Sequence, residues 1–201
     1  MQEHLQSIYR IQAPDVNNFL IDKETVQQVM GENHRIADEW VLVQQEDDTI
    51  NLAIYIASDH LARLSDVTSP MAAVVNHFSA FCAAIEGISH FLMLYERARR
   101  EEPVTMLELE MQAEVDKYVC ASLLRPQSRQ QWHQRLFRMA MLADGLTLEE
   151  TQRYREAGRL AAGFCISLDQ LPHAAAQLHH LRSFWRSSGA QRMAAVRKLA
   201  A

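Results

Sequence analysis

Two periodicities divide this chain. Between Glu39 and Ser58 the apolar positions fall into two β-branched runs, EWVLVQ and TINLAIYIA, separated by Glu46, Asp47 and Asp48, the pattern of a β-hairpin and its turn. An isolated hairpin is marginal in water. This one has to lie on helices, pair with a strand from the N-terminal segment, or pair with another chain across an open edge. Beyond Ser58 the apolar spacing changes to three and four residues and keeps it almost to the end, which predicts helices.

End signals place those helices. Asp22 caps a helix that stops near Gly31, and Ser58 caps a short one in SDHLARLSD. Ser69, followed by Pro70 at the first helical position, opens a long helix. It ends before Pro103, where Arg97, Arg99 and Arg100 suit its C-terminal dipole. Thr105 with Glu108, and Thr147 with Glu150, have capping-box spacing and start two further helices. More helical spacing follows in SRQQWHQRLFRMAML, HAAAQLHHLRSFW and AQRMAAVRKLA. The expected fold is α+β and predominantly α: a bundle of about five to seven helices carrying a small N-terminal β-hairpin near residues 39 to 56. No linker or repeat marks a boundary, so residues 1–201 are expected to form a single domain, with 1–57 mixed and 58–201 helical.

Composition narrows the class. With 48% hydrophobic and 22% charged residues the chain has the usage of a folded globular protein. A net charge of −5 argues against strong binding to nucleic acid or to an anionic membrane by the chain as a whole. The most apolar region, Met71 to Tyr95, is interrupted by Asn76, His77, Glu86 and His90, so it reads as a core helix and not as a membrane span. The start has no secretory-signal pattern. Cys82, Cys120 and Cys165 are odd in number, widely spaced and set among apolar residues, which suits buried free thiols in the cytoplasm.

Within the long helix Val74, Val75, Phe78, Cys82, Ile85, Ile88, Leu92 and Tyr95 define a core face. Beside it runs a stripe of Ser79, Ala83, Glu86, Gly87 and His90, whose small members would let another helix approach. Glu86 and His90, four residues apart, can reach each other or one ligand. They are the candidate catalytic or metal-ligating pair, with Glu108, Glu110 or Glu114 available from the next helix. Against that, the spacing is neither the Glu-x-x-His pair of di-iron bundles nor HExxH, so a structural contact is the more ordinary reading. Glu110, Glu114 and Lys117 otherwise read as a solvated acidic flank of an amphipathic helix. From His173 onward there is no acidic residue. Arg182, Arg186 and Arg192 there form a candidate partner-binding surface for an acidic protein, a phosphate ligand or nucleic acid.

These features rank a cytoplasmic, non-catalytic interaction or regulatory protein first, binding a protein partner, or a second copy of itself, through a helical groove or the hairpin edge. A metal-dependent helical enzyme or small-ligand binder using Glu86 and His90 comes second, and a weak nucleic-acid binder through the basic C-terminus third. No cofactor and no membrane association are expected.

Overall fold

The computed structural model describes residues 1–31, 37–47, 49–140 and 142–200. It is predominantly helical, with one two-stranded antiparallel sheet near the N-terminus. Helix α1 (Gln2–Tyr9) and a 3-10 turn (Val16–Phe19) lead into α2 (Lys23–Met30), which Asp22 caps by accepting from the Thr25 N–H at 2.8 Å. The hairpin follows as β1 (Glu39–Glu46) and β2 (Thr49–Ile56), with Val41 opposite Ile54 and Glu39 opposite Ile56. Asp47 turns the chain with φ of 49°, a left-handed conformation that a short polar side chain tolerates. Its expected turn partner Asp48 lies outside the described residues.

The body comprises α3 (Ser58–Ser65), α4 (Pro70–Asn76), α5 (Phe78–Arg99), α6 (Met106–Leu124), α7 (Arg129–His133), α8 (Leu148–Asp169), α9 (Ala174–Arg186) and α10 (Gly189–Leu199). Both predicted capping boxes form, at Thr105/Glu108 and Thr147/Glu150. Helix α6 lies at the centre, packed between α5 and α8, and is buried on nearly every side. The hairpin lies on α5, α1 rests mainly on α9, and α10 packs on α8. The N-terminal segment also reaches the sheet, but only as a single bridge: the Ile21 N–H donates to the Ile54 carbonyl at 2.8 Å.

Three expectations are corrected. Ser58 is the first helical residue of α3 rather than its cap, and the cap position, Ala57, offers no side-chain acceptor. The long helix starting at Pro70 breaks at His77, whose φ of −135° is not helical. Val74, Val75 and Asn76, all weak helix formers, precede the break, and the new direction brings Phe78 to stack on Trp132 at 5.5 Å. The helix read over residues 128–142 is shorter. After α7 the chain widens into a π turn (Gln134–Arg138), which buries Leu136 while Phe137 and His133 both reach Tyr118. Met141 lies outside the described residues.

By length and composition α5 could cross a bilayer. However, 67% of its most apolar stretch is buried inside the protein, and its polar residues Glu86, Ser89 and His90 face other side chains. It is the core helix that the interrupted apolar run implies.

Candidate functional site

Four elements converge on one polar cluster in the middle of the fold. Helix α5 supplies Glu86 and His90 one turn apart, β1 supplies Glu39, α6 supplies Glu110, Glu114 and Lys117, and α8 supplies Arg153. The imidazole sits between two carboxylates, with Nδ1 3.4 Å from Glu39 Oε1 and Nε2 3.7 Å from Glu110 Oε2. The second separation is too long for a hydrogen bond, and Nε2 has no hydrogen-bond partner although it is buried. Lys117 Nζ lies 2.6 Å from Glu86 Oε2 and 2.8 Å from Glu114 Oε1. Arg153 Nε approaches Glu110 Oε1 only to 4.0 Å and donates no hydrogen bond.

The backbone explains why these groups meet. A Cβ at Gly87 would stand 3.3 Å from both Glu39 Cγ and Ile54 Cγ2. The small-residue stripe therefore admits the hairpin at this point, where a helix was expected, and the close approach carries Glu39 to His90. Because α6 is enclosed by α5 and α8, Glu110 is 4% exposed. It is not the solvated acidic flank that its sequence suggests, and Glu114 is only half-buried.

Burial sets the electrostatics. It pushes the Glu110 carboxyl up to about 7, with the His90 charge opposing and Glu86 and Glu39 adding to the rise. Burial would also lower His90, but Glu39, and after it Glu110 and Glu86, hold the imidazolium up to about 9. Glu39 is raised by burial, with His90 only partly offsetting that effect. For Glu86 burial is outweighed by Lys117 and His90, which bring it below the usual carboxylate range. Among the described residues four carboxylates (Glu39, Glu86, Glu110, Glu114) face three cations: His90 when protonated, Lys117 and Arg153. With all four ionised the cluster carries one negative charge too many for a self-sufficient set of ion pairs, an excess that the Glu110 proton removes below about pH 7.

A second buried network lies beside it. Asp116 accepts from Tyr9, from Ser89 at 2.6 Å and from Gln112 at 2.9 Å, while Arg192 Nη2 donates to Gln112 Oε1 at 2.6 Å. Its carboxylate, hydroxyl and amide groups bond to one another, while Arg192 Nε is buried without a hydrogen-bond partner. It reads as structural cross-linking of α1, α5, α6 and α10, not as a ligand site.

The other sequence candidates separate. Arg182 and Arg186 lie at the surface on α9, but Arg192 is fully buried, so it contributes nothing to a surface that a partner could touch. Glu108 is buried at its capping box and stands against Gly189 at the start of α10, away from His90. All three cysteines are free. Burial raises each thiol, Cys82 to about 12, which fits inert structural residues.

Glu39, Arg153 and the Asp116 network are not apparent from sequence reasoning. One signal for Glu39 was present: it shares a strand face with Val41 and Val43, and a charge on the inward face of a hairpin needs a partner. Among the described residues, concavities lie around Arg182, Arg99 and Arg129, and Glu39, Glu86, His90 and Glu110 line none of these three. The cluster itself has the dimensions of an ion site: ligand atoms of Glu86, His90 and Glu110 all lie within 4.8 Å of one another. In comparisons with protein-family models, curated proteins and solved structures, the chain matches none.

Proposed function

We propose that this chain is a helical metal-binding protein whose Glu86, His90 and Glu110 hold one divalent first-row transition metal ion, with Glu39 orienting the imidazole from its Nδ1 side. The observation that carries the reading is the buried, unbonded His90 Nε2 facing Glu110 inside a cluster with one carboxylate in excess. A divalent ion in place of the His90 proton brings the local charges into balance, with Lys117 and Arg153 retained as counter-cations. Metal–ligand bonds of about 2.1 Å put ligand atoms roughly 3 to 4 Å apart, so the 4.8 Å set needs shifts on the order of 1 Å. Two carboxylates with one imidazole suit manganese, iron or zinc better than the all-oxygen preference of calcium or magnesium. The site is built as bundle metal sites are, from side chains on facing helices. The free cysteines support a cytoplasmic setting as part of this proposal.

The test is metal content after loading untagged protein with manganese, iron or zinc and removing the excess. About one equivalent is expected to remain, and to be lost in both Glu86→Gln and His90→Ala. Retention should strengthen as pH rises from about 7 to about 9, since the metal needs Glu110 and His90 without their protons. Metal-free protein should do the opposite. Both groups have folded-state pKa values above their unfolded ones, so the stability they contribute is complete at low pH and is lost as pH rises through those values. Absence of retained metal in the parent protein would reject the proposal.

One observation favours protein interaction as a second reading. The hairpin face that carries Ile54 into the core continues past the body, leaving Val43 51% and Ile50 42% exposed. A partner covering this tip would produce association that Val43→Lys and Ile50→Lys abolish. If the parent protein sediments as a monomer across a dilution series and retains no partner, this reading fails.

A further inference from the structure

A second concentration of unbalanced charge lies far from the metal cluster, and it is basic. On α9, His179, Arg182, Ser183 and Arg186 follow one another at helical spacing and share one face, while Leu181, Phe184 and Trp185 are buried on the other. The face lines a concavity of about 600 Å³ that is closed on its far side by Arg10. Arg10 ends α1 in the left-handed region, with φ of 56°, which turns the chain into the groove. Arg182 is partly committed to this architecture: its Nε donates to the Ile8 carbonyl at 2.7 Å and its Nη2 to the Ser7 carbonyl at 3.3 Å, closing the end of α1.

Arg10 and Arg186 are different. Both are exposed, and among the described residues neither side chain donates a hydrogen bond or meets a carboxylate. Arg10 and Arg186 also line an adjoining concavity of about 280 Å³, which adds Arg99 and Arg100. The one acidic residue there, Glu96, is already held by Arg99 Nη1 at 3.1 Å and Arg100 Nη2 at 3.2 Å. Partial desolvation, and then the charges of Arg10 and Arg186, draw the Arg182 guanidinium below its ordinary range. Around Arg10, Arg182 and Arg186 the groove therefore gathers cations at an electrostatic cost that no carboxylate among the described residues offsets.

We propose that this double groove binds a chain of two or three phosphates, with Arg10 and Arg186 gripping it at the junction and His179, Ser183 and Gln191 supplying further polar contacts. Guanidinium forks match phosphate oxygens in pairs, and the larger volume falls in the range of small-ligand sites. The aromatic rings beneath the junction, Tyr9 and Trp185, are 1% and 2% exposed, so they offer no face on which successive bases could stack. That, with the net charge of −5, favours a compact phosphate chain over nucleic acid. The chain could belong to a nucleotide or be free inorganic polyphosphate. The site is independent of the metal proposal.

Calorimetric titration of the full chain with pyrophosphate, inorganic triphosphate and adenosine triphosphate tests it. Saturable one-to-one binding at physiological salt is expected, weakened at least about tenfold by Arg10→Glu and by Arg186→Glu, the loss of a charge-assisted contact in each case. Neither residue has an internal partner, so both variants should keep the parent's unfolding temperature. Equal affinity for the inorganic and nucleoside triphosphates would identify the phosphate chain as the recognised part, and tighter nucleoside binding would add a base contact; both support the site. No saturable binding of any of the three, or binding that the two variants leave unchanged, would overturn it. Tighter binding of single-stranded RNA that grows with RNA length would overturn it in favour of a nucleic-acid surface.

Discussion

Arg192→Ala is expected to destabilise the protein by about 3 to 5 kcal/mol, the cost of breaking a buried charge network from one side. In a domain of this size that lowers the unfolding temperature by roughly 6 to 20 °C. Arg192 is fully buried and is the largest such side chain in the fold. Its guanidinium donates to Gln112, touches Met93 Sδ at 3.3 Å and lies over the Phe184 ring at 4.9 Å. Burial draws it down to about 10, so it remains charged at neutral pH. Truncation leaves a cavity, an unpaired Gln112 carbonyl oxygen and an Asp116 carboxyl with no cation beyond Gln112. Burial already raises Asp116 to about 6 despite its hydrogen bonds to Ser89, Tyr9 and Gln112. Adding Asp116→Asn should cost less than it does alone, because the two residues act through one network. Chemical unfolding measures both. A loss under about 1 kcal/mol for Arg192→Ala would mean that α10 is not tied to the core through this residue.

Lys117→Met should behave in a way that a purely structural ion cluster would not. Lys117 is buried between Glu86 and Glu114, and removing its ammonium leaves two carboxylates facing each other without a cation. The metal-free variant is expected to lose about 3 kcal/mol. The same change increases the negative charge at the metal site, so manganese or zinc should bind more tightly than in the parent. At a free metal concentration of about 100 times the dissociation constant, binding returns about 2.7 kcal/mol. Near-complete rescue by metal, absent when His90→Ala is added, is the expected pattern. Destabilisation without rescue would mark Glu39, Glu86, His90 and Glu110 as ion pairs only.

What could be read in the sequence was local. The caps at Asp22, Ser69, Thr105 and Thr147 act over three residues and all form. The hairpin is declared by its own alternation and turn, and Glu86 with His90 by one helical turn. What escaped depends on which surfaces meet. Glu39 reaches His90 across 51 positions of sequence because Gly87 lets the hairpin settle on α5. Glu110 looked like an acidic flank because amphipathic reasoning assigns a helix one wet side, whereas α6 is covered on both sides by α5 and α8. Arg192 looked like part of a basic surface because no acidic residue lies near it in sequence. Its partner, Gln112, is 80 positions away on α6. The functional ranking changes for the same reason: the sequence offers Glu86 and His90 with a choice of glutamates from the next helix, whereas the assembled fold brings Glu110 to them and sets Glu39 behind His90.

The central claim is a metal ion held by Glu86, His90 and Glu110, and the most direct measurement is an anomalous difference map from crystals of the manganese- or zinc-loaded protein. The account predicts one dominant peak about 2.1 Å from a His90 ring nitrogen, with oxygens of Glu86 and Glu110 drawn in to similar distances and Lys117 still bound to Glu114. A loaded crystal whose anomalous peaks lie only at surface histidines, with His90 still lodged between Glu39 and Glu110, would contradict it.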